Sequence, residues 1–265
     1  MKYSLFFILL LFTVSASDAW EKKHVNEKGN DSTDLLLEEA GKYFNAGDED
    51  EALRLYLSVI TIEPQNYEAL WNSSFIYTRK GRQQTTYENQ RAYYEIAREF
   101  ARITLDNHQD KPRSYYVYAV SSLGLADDMP NSSERIELLH KIKEYGEIAI
   151  TMDPEYAPAW HMIGVWHSNL ANVSRTNRIA ARLLHGSLPD GATNEKAVEH
   201  FEKAIRLDPN VIIFRLDLAQ HFQEQGKKEK AIPLLESIFT MNAVSSYDQL
   251  NVKEAKERYN QLKSI

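Results

Sequence analysis

Two histidines six residues apart, His161 and His167 in "APAWHMIGVWHS" (157–168), are the first place to look for chemistry. Imidazole titrates near neutral pH and is a common metal ligand. Chelation by one helix needs i,i+4 spacing, so that both rings leave the same face, whereas a separation of six puts them about 240° apart. The pair cannot share a metal on one straight helix. A second candidate is "RTNRIAARLLH" (175–185), where Arg175, Arg178, Arg182 and His185 recur at three and four. They form one basic stripe, about 100° around the helix from Ile179 and Leu183. Such a stripe can meet a carboxylate or phosphate; it also describes a solvated face paired with nearby acids. Asp48 and Asp50 lie at a turn and read as solvated charge. The sequence holds no G-x-S-x-G, no Gly-rich phosphate loop, no H-E-x-x-H and no cysteine. Missing cysteine removes disulfides, thiolate ligands and a cysteine nucleophile. No catalytic residue, metal ligand or cofactor is assigned, and the chain reads as a non-enzyme.

The 265 residues are 43% apolar and 26% charged, which is ordinary for a globular protein. A net charge of −7 argues against an electrostatic grip on nucleic acid or on an anionic membrane surface. The opening "MKYSLFFILLLFTVSASDAW" has one lysine, an apolar run over 5–14, and small residues suited to cleavage after Ala16 or Ala19. It reads as a signal peptide over 1–19 and implies an exported protein, periplasmic or secreted, with no integral membrane span after cleavage. Residues 20–33 are polar and aperiodic and read as a flexible lead-in; ordered structure is expected over 34–265.

The elements that must position these side chains are helices. In "DLLLEEAGKYFNAGDEDEALRLYLSVITIEP", Leu36, Ala40 and Tyr43 share one helical face and Gly47 ends that helix. Ala52, Tyr56 and Val59 then line the next helix before Pro64. Trp160, Ile163, Gly164 and His167, followed by Ala197, Phe201, Ala204 and Pro209, repeat that arrangement more faithfully. Less regular units run from Leu70, Ser74 and Tyr77 to Ala97 and Ala101, and from Tyr115 and Ala119 to Gly146 and Ala149. A fifth follows Pro209 with Leu218, Ala219, Phe222, Gly226, Ala231 and Ile238. Ala255, Tyr259 and Leu262 form a stripe on a last helix that can cover the exposed end.

These residues match the W-x2-LG-x2-Y, A-x3-F, P pattern of a tetratricopeptide repeat, with a period of about 34 residues. Pro154 to Pro209 spans 55 residues and Pro64 to Pro154 spans 90, so an insertion is expected in the fourth unit. A second is expected to be shared between the "GRQQTTYENQ" and "ADDMPNSSE" loops. The fold class is thus all-α: a right-handed α-solenoid of about five divergent helix pairs with inter-helix insertions and a C-terminal capping helix. Residues 34–245 resemble the tetratricopeptide superfamily. Residues 150–240, through "AWHMIGVW", "RIAARLLHGSLPDGAT" and "LAQHFQEQGKKEKAIPLLES", resemble the regulator of microtubule dynamics family. That resemblance implies a scaffold.

A solenoid binds its ligands on the concave face. The register places Leu37, Phe44, Trp71, Phe75, Tyr116, His161, Val165 and Leu216 there, more apolar than solvent contact requires. An extended peptide or helix of a protein partner is one reading of that face. A superhelix that closes on itself, or a groove filled by the C-terminal helix, is the other. Trp160 and Gly164 read as packing anchors, and His167 fills a packing position. The leading function is an exported adaptor binding a protein or peptide; a structural subunit of an envelope-associated assembly is the alternative, and an enzyme follows.

Overall fold

The computed structural model describes residues 18–129 and 132–264. Among them are twelve helices: α1 (Asp18–Asn45), α2 (Glu49–Ile62), α3 (Tyr67–Arg82), α4 (Tyr87–Asn107), α5 (Pro112–Asp128) and α6 (Ser133–Met152). The chain continues through α7 (Ala157–Ala171), α8 (Arg175–Leu184), α9 (Asn194–Leu207), α10 (Ile212–Glu224), α11 (Lys228–Ile238) and α12 (Ser246–Lys263). The described residues contain no strand. The leader expected over 1–19 lies, but for its last two residues, outside the described residues.

Local chemistry sets the boundaries. Asp48, Asn66, Thr86, Ser132, Ser174, Thr193 and Ser245 each accept a hydrogen bond from the backbone N–H three residues on, capping a helix start. At Glu63, Asp153 and Asp208, each just before a proline, the amide bonds back to a carbonyl four residues earlier and the helix stops. Gly47 turns the chain between α1 and α2 at φ +84, a left-handed conformation that favours glycine.

Pairing α1 with α2, α3 with α4, α5 with α6, α7 with α9 and α10 with α11 gives the five expected units, and α12 packs on α10 and α11. Small residues sit where helices approach: Ala40, Ala52, Ala197, Ala204, Ala219 and Ala231 have no exposed surface. Tyr56 and Phe201 are buried beside them, while Tyr43 is half-buried and Pro64 and Pro209 lie exposed in the turns. A Cβ on Gly164 would stand 2.9 Å from the Phe201 ring, so α7 and α9 come this close only because that side chain is missing. Trp166 is the larger anchor of α7, fully buried with Nε1–H donated to the Leu139 carbonyl at 2.9 Å. Trp160 is half-buried and donates to the Pro154 carbonyl at 2.8 Å.

Two expectations about length are corrected. The fourth unit holds its insertion as α8, but the extra residues of units two and three are absorbed by longer helices rather than by loops. α4 and α6 have 21 and 20 residues against 14 in α2 and α9. Segments such as "YENQRAYYEIAREF" are made of residues a helix tolerates, with no proline or glycine to stop it. Likewise the lead-in expected over 20–33 is helical backbone continuous with α1. It has one glycine and no proline, and extending an existing helix is far easier than nucleating one.

Candidate functional site

The concave faces of α1, α3, α5, α7 and α10, together with the segment leading into α12, line a cavity of about 900 Å³. Phe44, Phe75, Tyr116, His161 and Val165, all expected in the groove, line it. Phe75 lies edge-on to Phe44 at 6.2 Å and 6.4 Å from Tyr116, so one aromatic wall runs across three repeats. Burial raises the Tyr116 phenol well above its ordinary range and keeps it neutral. His161 stacks on Phe214 at 4.7 Å and hydrogen-bonds Asp217 at 2.9 Å.

Three expected groove residues lie elsewhere. Leu216 is fully buried in the C-terminal core, because the apolar residues of "IIFRLDLA" are spread around the helix and leave its register ambiguous in sequence; Phe214 and Asp217 face the cavity instead. Leu37 is half-buried against α2 and α3. Trp71 shares a helical face with Phe75 but lies one turn beyond the cavity, with the Arg113 guanidinium 4.7 Å over its ring. The cavity is shorter than the face from which it is made.

Its length is limited by a closing seam. Arg79 donates to Ser245 Oγ at 2.7 Å, lies 3.6 Å from Asp248 and 2.9 Å from Glu49, and its guanidinium sits 4.2 Å over the Tyr247 ring. One turn on, Arg82 stands 3.7 Å from Asp217 and 3.5 Å from Glu254. The backbone of Val244 comes so near Gly47 that a Cβ there would lie 2.4 Å from the Val244 carbonyl oxygen. The solenoid therefore closes on itself, the second reading left open by the sequence, and leaves the cavity inside. Burial would raise the Asp217 carboxyl, but Arg82, His161 and Arg258 outweigh it and hold the group below the usual carboxylate range. Glu49 goes the other way: its burial outweighs Arg79 and raises its pKa.

His167 points away from the cavity. It is buried between Trp166 and His200, with ring centroids 4.9 and 5.1 Å away, and burial together with the charges of His200, Lys196 and Lys143 lowers it to about 4. It packs as a neutral ring. The two histidines thus serve different surfaces, as their angular separation requires. Among the described residues no group of three or more His, Asp or Glu converges to hold a metal, and no helix is long and apolar enough to cross a membrane. The sequence reading missed Arg79, Arg82 and Tyr247. The only signal they carried was two arginines three apart on a face otherwise apolar.

Comparison with known proteins places this architecture. The chain superposes on a thermophilic TPR protein of Thermus thermophilus with a TM-score of 0.62 at 15% identity, covering 88% of this chain and all of that one; this shows the fold. Regulator of microtubule dynamics protein 1 of Bos taurus is 27% identical over 177 residues, 66% of this chain and 54% of its own length. Regulator of microtubule dynamics protein 3 of Bos taurus is 23% identical over 232 residues, 86% of this chain and 49% of its own. The chain spans about half the length of the curated relatives it matches. These matches overturn the expectation of an exported, periplasmic or secreted protein: the relatives are cattle proteins named for microtubules, polymers of the eukaryotic cell interior. That expectation rests on the first 19 residues alone, and a lysine, a short apolar run and small residues do not by themselves specify a compartment. The family model for regulator of microtubule dynamics protein 1-3 matches residues 36–263, and the chain belongs to that family.

Proposed function

We propose that this chain is a non-enzymatic scaffold that binds a segment of a partner protein in its concave cavity. The observation that carries this reading is the cavity itself: about 900 Å³, walled by Phe44, Phe75 and Tyr116 on the first three repeats, His161 on the fourth and Phe214 on the fifth. A stack of repeats forms a continuous surface suited to an extended ligand, and aromatic walls offer large contact area at little cost in side-chain entropy. The repeat fold and the names of the relatives both favour a scaffold over an enzyme. A permanently buried subunit would show a broad apolar convex patch. Here the exposed large apolar side chains are scattered, apart from those on α8.

The relatives' name ties them to microtubule dynamics. For this chain a role of that kind runs through the bound partner: a net charge of −7 opposes direct contact with an acidic polymer surface. The test is quantitative affinity capture with the full chain against two cavity-filling variants, Val120→Trp and Met241→Trp, each retaining the wild-type thermal midpoint. Both residues line the cavity, from different elements. The reading expects the same partners to be lost from both variants. Retention of every partner at wild-type level by both would sink it.

A further inference from the structure

α8 is built inside out. An amphipathic helix ordinarily turns its apolar stripe to the core. In α8 only Ala181 is buried, while Ile179, Leu183 and Leu184 are 42%, 76% and 72% exposed. The inward side holds instead Arg178, whose guanidinium donates to the Leu170 carbonyl at 2.6 Å and the Pro189 carbonyl at 3.4 Å. His140 of α6 bonds the Ser187 carbonyl just after the helix at 3.0 Å. These tethers hold α8 on the outside of the solenoid with its aliphatic face outward.

The charge on α8 itself has one sign. Between Glu155 and Asp190 the sequence contains no acid, whereas Arg175, Arg178 and Arg182 fall within one ten-residue helix of a chain whose net charge is −7. Arg175 and Arg182 are exposed on the edge of the aliphatic face. A lasting protein interface covers roughly 800 Å² per partner, far more than three side chains on about three turns of helix provide. A bilayer surface needs less: leucines enter the boundary between headgroups and acyl chains, while arginines extend to the phosphates.

We propose that α8 is a peripheral docking element for an anionic phospholipid surface, with Ile179, Leu183 and Leu184 inserted and Arg175 and Arg182 on the headgroup phosphates. Arg178, tied to backbone carbonyls, orients the helix. So short an element gives weak, salt-sensitive, reversible attachment that works alongside a second contact. The proposal stands apart from the cavity, since α8 contributes nothing to its lining.

The experiment is co-sedimentation of the full chain with vesicles of phosphatidylcholine alone and of phosphatidylcholine mixed with phosphatidylserine. The first set measures any attachment through other apolar segments. The phosphatidylserine vesicles should bind about tenfold more tightly. The gain should vanish in Leu183→Ser/Leu184→Ser and, with its salt dependence, in Arg175→Gln/Arg182→Gln. These positions are exposed, so thermal midpoints should stay at the wild-type value. In Leu184→Trp the indole emission should shift to the blue on adding phosphatidylserine vesicles. Equal binding to both vesicle types, or wild-type binding by the leucine variant, overturns the proposal. So does a crosslink from position 184 to a protein while neither vesicle type binds.

Discussion

Two kinds of seam hold this solenoid, and they are made differently. Between neighbouring repeats the contact is apolar and close: Gly146 of α6 lies against Met162 and Ile163 of α7, and Trp166 of α7 is fully buried with its indole on the Leu139 carbonyl of α6. Between the two ends it is polar and reaches across long side chains, with Arg79 and Arg82 of α3 meeting Ser245, Asp248, Glu254 and Asp217. The repeat seams are cut by whatever unfolds the chain. The closing seam is expected to part before the repeats unfold, because Arg82, Glu254 and Asp248 are already partly exposed and water can solvate them. That difference makes the concave cavity a compartment with a weak wall.

Substitutions can break or sharpen this contrast. The largest effect belongs to a repeat seam: Trp166→Ala should destabilise the chain by about 4 kcal/mol, measured by denaturant unfolding, since it empties a full ring volume and removes the hydrogen bond to the Leu139 carbonyl. Arg79→Ala should cost about 3 kcal/mol at neutral pH, because it leaves Glu49, only 4% exposed, as an uncompensated charge. Glu49 already has a raised folded-state pKa, so a protonated carboxyl favours the folded form. The penalty of Arg79→Ala should therefore shrink as pH falls through that titration. A penalty independent of pH would mean Glu49 is solvated and the seam looser than described.

His167 gives the third test, on the apolar side. Its folded-state pKa of about 4 lies below the ordinary 6.5, so folding favours the neutral ring. The stability it contributes is complete above pH 6.5 and falls as pH drops toward about 4, by about 2 kcal/mol at pH 5. His167→Phe should flatten that slope in a pH series of unfolding midpoints. The smallest effect is expected at Arg82→Gln: Arg82 and Glu254 are partly exposed and Asp217 keeps His161 and Arg258, so about 1 kcal/mol is lost, and moderate salt should remove most of the difference.

The same division decides what the sequence could reveal. Repeat seams are written locally: Ala197, Phe201 and Ala204 sit at fixed spacings from Pro209, so helix pairing, the insertion after Ala171 and the packing role of His167 were all legible. The same register puts five of the eight residues expected on the concave face, Phe44, Phe75, Tyr116, His161 and Val165, on the cavity wall. Leu216 lies outside the cavity because α10 buries residues on several sides and shows no single apolar stripe, and Trp71 and Leu37 because periodicity fixes a face and not how far along it a cavity extends. The closing seam joins residues 166 apart in the chain, and no spacing rule links Arg79 to Ser245. The outward stripe of α8 was visible as arginines beside Ile179 and Leu183, but which side faced out depended on where the insertion docks.

The central claim is that the two ends of the solenoid meet across the concave face. Because the chain has no cysteine, one spin label can be placed at each of two exposed positions flanking the seam, Ala46→Cys and Ser246→Cys. The distance between them is then read by pulsed electron resonance in the intact chain. A closed solenoid predicts one short, narrow distance distribution that broadens and lengthens when Arg79→Ala is added. A long or broad distribution in the otherwise unaltered chain, unchanged by Arg79→Ala, would contradict the closure and with it the cavity.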